Sequence, residues 1–130
     1  MATQARASGE TGTVEKDETS RLIASSKVEG TEVYSRNGEH LGEVYNFMVD
    51  KFNGQVAYAV MSFGGFLGIG ERYHPLPWKA LDYDTQLGGY RVDVDRSKLE
   101  SAPRYAREED PWRDPVYAGK VSDYWGYPLI

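Results

Sequence analysis

The chain has 130 residues, long enough for one modest core and short for two. Fifteen Lys and Arg against twenty Asp and Glu leave a net charge of -5, which disfavours a phosphate-binding role because nucleic-acid affinity rests on concentrated positive charge. No cysteine is present, which removes disulfides, thiolate nucleophiles and Cys-ligated metal centres.

Met1 to Ser20 is rich in Ala, Thr, Ser, Gly, Glu and Lys, with Val14 its one sizeable aliphatic residue after Met1. That is too little apolar area to offset the entropy of ordering it, so residues 1–20 are expected to be disordered or ordered only by a partner. The segment lacks the apolar stretch of a secretory signal, and no run approaches the ~20 apolar residues that span a bilayer. A cytoplasmic protein without a membrane span is expected.

Arg21 to Val28 brings the first apolar cluster, where Ser25 or Ser26 is expected to cap one helical turn before Glu29-Gly30. Thr31 to Tyr34 reads as a strand, turned by Asn37-Gly38 into a second strand, Leu41 to Asp50, with Tyr45, Phe47 and Val49 expected on one face. Asn53-Gly54 marks another tight turn, and Gln55 to Phe63 reads as a nearly continuous buried strand paired antiparallel with the one before.

The next stretch, Gly64-Gly65-Phe66-Leu67-Gly68-Ile69-Gly70, sets large apolar side chains on a glycine-rich backbone. Exposing each would cost roughly 1.5–3 kcal/mol relative to burial. The loop is therefore expected to plug a barrel end or to dock on another chain. It lacks the Gly-Lys-Ser/Thr ending and following helix of a phosphate cradle. Pro75 and Pro77 restrict the strand that follows to a sheet edge or a strand end, since neither can donate to a ladder. Gly88-Gly89 turns a second hairpin, and Asp95 is expected to cap a short helix that ends before Pro103.

From Pro103 onward Tyr105, Trp112, Tyr117, Tyr124, Trp125 and Tyr127 are spread among Pro, Gly and charged residues, which reads as an irregular tail. Such aromatics suit either a tail that wraps its own domain or one that caps a neighbouring subunit. Glu108, Glu109, Asp110, Asp114 and Asp123 oppose base stacking on nucleic acid.

Short strands at close spacing with Asn-Gly and Gly-Gly turns indicate a small barrel or curled sheet. The order Thr31-Glu32-Val33-Tyr34, Leu41-Gly42-Glu43-Val44, Asn53-Gly54-Gln55-Val56-Ala57-Tyr58, the glycine-rich stretch and Pro75-Leu76-Pro77-Trp78 resembles the PRC-barrel family. That family is named for the cytoplasmic domain of the photosynthetic reaction centre H subunit and includes the C-terminal domain of the bacterial ribosome maturation factor. The resemblance covers about Ser20 to Leu99. It implies a mainly β fold: a PRC-type barrel of five to six antiparallel strands with one short helix, over residues 21–102, followed by the C-terminal extension 103–130.

The resemblance also implies a stand-alone interaction barrel that self-associates, a dimer being favoured, and it carries over no catalytic residue. No enzyme activity, cofactor, metal site or nucleic-acid partner is expected. The candidate contact residues are Phe66, Leu67, Ile69, Trp78, Trp112, Tyr117, Tyr124 and Trp125. His40 and His74 are the residues suited to acid–base or metal chemistry, and His74 beside Glu71, Tyr73 and Trp78 motivates the alternative of a small-molecule or metal-binding barrel. A ribosome-linked role ranks third, by analogy with the maturation factor.

Overall fold

The computed structural model describes residues 17–63 and 72–127. The expectations placed on Phe66, Leu67 and Ile69, and that of disorder in the first sixteen residues, therefore lie outside the described residues. Six strands form one sheet: β1 (Glu32–Tyr34), β2 (His40–Val49), β3 (Val56–Phe63), β4 (Arg72–Pro77), β5 (Leu81–Asp84) and β6 (Gly89–Val92). Among the described residues three helices accompany them, α1 (Ser25–Val28), α2 (Arg96–Glu100) and α3 (Tyr117–Trp125). The mainly β architecture agrees with the barrel expected from sequence.

Turn chemistry sets the hairpins. Gly38, Gly54 and Gly88 stand at φ 83°, 78° and 70°, where a side chain is strained, and they mark the β1–β2, β2–β3 and β5–β6 turns. The strand order is β4-β3-β2-β1-β6-β5. Its two ends, β4 and β5, follow each other in the chain through one 3₁₀ turn, Trp78–Ala80. A three-residue link cannot span an open six-stranded sheet, so the sheet curls until its edges approach. Every neighbouring pair is antiparallel except β1 and β6, which run parallel with Val33 opposite Tyr90. The curl also demands close backbone approach. A Cβ on Gly42 would meet the Ser62 carbonyl oxygen, and one on Gly89 would meet that of Glu32.

Strand β2 departs from simple alternation. Register shifts against β3 fall between Val44 and Asn46 and between Met48 and Val49. Each shift displaces the side-chain phase, so Val44 is buried while Tyr45 and Val49 are exposed, against the expected apolar face. In β3 the expectation of a continuous buried strand holds, with Ala57 to Met61 all buried. The Tyr73 N–H donates to the Tyr105 carbonyl at 2.9 Å and the Tyr105 N–H donates to the Tyr73 carbonyl at 3.0 Å. The backbone groups of Tyr73 therefore face away from β3, and by the period of two so do positions 75 and 77. Both are prolines with no N–H to offer, which blunts the outer edge of β4 against further strand pairing.

Helix α2 is capped as expected, Asp95 Oδ1 accepting from the Lys98 N–H at 3.1 Å. Helix α1 instead starts from Ala24 with no side-chain cap, so neither Ser25 nor Ser26 fills that role. The C-terminal extension is not irregular. It forms a 3₁₀ turn, Pro111–Arg113, and then α3, which packs on β4. Tyr117, Val121, Tyr124 and Trp125 recur at helical spacing, and Gly126 at φ 79° ends the helix with its N–H on the Ser122 carbonyl. Val121 and Trp125 join Val33, Val44, Met61, Leu76, Val92 and Leu99 in one hydrophobic core.

Candidate interaction surface

The aromatic extension wraps its own barrel. Tyr105, placed on the β4 edge by its two backbone bonds, lies 5.5 Å from Tyr73, which in turn stacks on Tyr45 at 4.3 Å. From Tyr105 the ring contacts continue to Trp112 and Tyr117, each at 6.4 Å, and Trp112 reaches Tyr58 of β3 at 5.4 Å. Such edge and offset pairs are worth about 0.5–1.5 kcal/mol each beyond their area. Burial pushes the Tyr117 phenol up to about 12, helped by the neighbouring Tyr105 and Glu109, and burial also raises Tyr105. Both stay protonated at neutral pH and act as packing groups.

The remaining predicted residues take related positions. The Tyr124 hydroxyl donates to the Lys98 carbonyl at 2.6 Å, and the Lys98 ammonium lies 4.4 Å from the Tyr124 ring, clamping α3 to α2. Trp125 is 9% exposed. Trp78 occupies the turn from β4 to β5, with Tyr90 edge-on at 5.5 Å and Phe47 at 6.4 Å. Trp78, Trp112, Tyr117 and Tyr124 are half-buried against the core. The described part of the extension thus packs on its own domain, and its Trp112 and Ala118 also line an open apolar groove.

The histidines are separated. His40 is exposed, its Nε2 3.0 Å from Glu32 Oε2. His74 is buried on β4 with its ring edge to Phe63 at 5.7 Å, and burial, followed by the positive charge of Arg104, lowers its pKa to about 4. A buried imidazole is therefore neutral at physiological pH. Glu71 lies outside the described residues, and among those described no three His, Cys, Asp or Glu side chains gather as a metal site.

A different surface stands out physically. Phe52, at the tip of the β2–β3 hairpin, is 95% exposed. Its turn is well tied: Asp50 Oδ1 accepts from the Phe52 and Asn53 N–H groups at 2.9 and 3.3 Å, and Asn53 Oδ1 accepts from the Gln55 N–H at 2.9 Å. The backbone of Gly54 closes it, donating to the Asp50 carbonyl at 2.8 Å. An ordered turn thus holds a large apolar ring in water at a cost of roughly 1.5–3 kcal/mol relative to burial. Beside the hairpin runs a groove lined by Met48, Val49, Asp50, Tyr58, Trp112 and Ala118. Val49, in that lining, is itself exposed. Sequence reading missed Phe52 as a contact residue. The available signal was a Phe inside an Asp-Lys-Phe-Asn-Gly turn, where tight-turn geometry leaves a side chain no core to enter.

Comparison with known proteins bears on the barrel. The sequence model of the PRC-barrel domain matches residues 21–99. A solved structure from Pseudomonas aeruginosa, assigned as a 16S ribosomal RNA processing protein RimM, aligns at 22% identity with a TM-score of 0.37, over 65% of this chain and 50% of that one. The chain spans half the length of that protein. No curated protein matches.

Proposed function

The chain belongs to the PRC-barrel family, and we propose that it is a non-enzymatic interaction module that self-associates and works as an adaptor in the cytoplasm. The observation that carries this reading is Phe52, 95% exposed on a hydrogen-bonded turn next to an apolar groove. A large side chain fixed in water gains most by being covered, and such patches mark protein contacts. A protein partner is favoured over nucleic acid because the chain carries a net charge of -5. Among the described residues no helix is long and apolar enough to cross a membrane.

Light scattering behind gel filtration, run across a concentration series, tests the proposal. The expected result is a weight-average mass that climbs from one chain toward two as concentration rises through the micromolar range. A mass fixed at one chain up to the solubility limit would refute self-association.

A further inference from the structure

We infer that two copies pair about a two-fold axis, Phe52 of each entering the other's groove between the β2 end and α3. This rests on the proposed self-association and names the surface that performs it. Phe52, at 95% exposure, is left uncovered by the described residues of its own chain, which leaves it open to a second molecule. The same hairpin that projects this ring also supplies Met48, Val49 and Asp50 to the groove lining, to which the extension adds Trp112 and Ala118. A projection and a recess on one surface satisfy the self-complementarity that a two-fold contact requires: what one copy's hairpin gives, the other's groove receives.

Charge points the same way. Lys51 precedes the projecting Phe52, and Asp50 lines the recess. In a two-fold pair each Lys51 is carried with its neighbouring Phe52 toward the partner's Asp50, giving two rim ion pairs of opposite sign rather than a like-charge clash. Elsewhere two chains of net charge -5 repel, which makes a local attractive contact the more necessary.

Area sets the strength. A buried aromatic side chain removes about 150–250 Å² from water, so two rings with an equal area of the groove walls they cover come to on the order of 600–1,000 Å². That falls below the ~1,200–2,000 Å² of stable complexes, and the pair is accordingly a weak, exchanging dimer.

The test uses the full chain. Sedimentation equilibrium of the unsubstituted protein gives a dimer dissociation constant, and Phe52→Asp should raise it at least about tenfold, as loss of a central aromatic anchor does. Leu22→Asp is the control, since Leu22 is exposed outside the groove and should leave the constant unchanged. Far-ultraviolet circular dichroism should be the same for all three. Because the chain has no cysteine, two single-cysteine variants, Phe52→Cys and Ala118→Cys, can be mixed under mild oxidation. The mixture should yield the crossed disulfide in excess over either like pair.

If the unsubstituted chain dimerises but Phe52→Asp does not weaken it, or the crossed disulfide is not favoured, this contact is wrong while self-association stands. If the unsubstituted chain stays monomeric at every concentration, the proposed function itself fails. Phe52-dependent co-sedimentation with phosphatidylcholine vesicles, without dimerisation, would assign the ring to a membrane surface and overturn the pairing.

Discussion

Replacing Trp125 by alanine tests whether the C-terminal extension is part of the folding unit. Trp125 closes α3 at 9% exposure, with Tyr124 edge-on at 5.4 Å and the Lys98 ammonium 5.9 Å from its ring. Truncating a core Trp costs about 3–5 kcal/mol, and alanine recovers roughly half a kcal/mol in helix propensity, so a net loss of about 3 kcal/mol is expected. At about 2.1 cal/mol/K per residue, the 103 described residues, 47 in 17–63 and 56 in 72–127, unfold with an entropy of roughly 220 cal/mol/K, and 3 kcal/mol then lowers Tm by roughly 14 °C. Thermal melts followed by circular dichroism at several protein concentrations measure this. Because Trp125 packs within its own chain, the drop should be independent of concentration. A drop under about 3 °C, or one that vanishes on dilution, would refute the packing of the extension on its own barrel.

Gly42→Ala should be poorly tolerated, because the added Cβ meets the Ser62 backbone oxygen of the neighbouring strand and backbone cannot move aside as a side-chain tip can. A melt unchanged from the parent chain would contradict that close approach. For His74 the folded value of about 4 lies below the ordinary 6.5, so between those pH values the unfolded chain binds the additional proton. Stability from this residue is complete above about pH 6.5 and declines as pH falls toward 4, by up to about 3 kcal/mol at 1.36 kcal/mol per pH unit. Urea titrations across that window should show the decline in the parent, and His74→Leu should flatten it; an equal slope in both would remove His74 as its source.

Local features were legible in the sequence wherever one residue carries the constraint. Asn37-Gly38 and Asn53-Gly54 announce their turns because positive φ is nearly free for glycine alone, and Asp95 announces α2 because its carboxylate reaches the N–H three residues on. The family order of strands and the prolines of β4 were legible for the same reason. The parallel pairing of β1 with β6 was not, since it joins segments more than fifty residues apart and depends on curl rather than on either segment's pattern. Nor was the face of β2, where two register shifts move the side-chain phase. Helix α3 was hidden by its flanks: Pro111, Pro115 and Gly119 read as breakers, while the spacing of Tyr117, Val121, Tyr124 and Trp125 already traced one helical stripe. The aromatic residues of the extension were recognised as needing cover, and their own barrel supplies it. Phe52, a single ring in a turn, was passed over because one apolar residue makes no pattern.

Self-association through the hairpin surface is tested most directly by amide chemical shifts recorded on dilution of the full chain. Concentration-dependent shifts are expected at Met48–Gly54 and at the amides around Trp112 and Ala118, with the rest of the barrel still. Spectra that superimpose at every concentration, or shifts centred on another face, would contradict it.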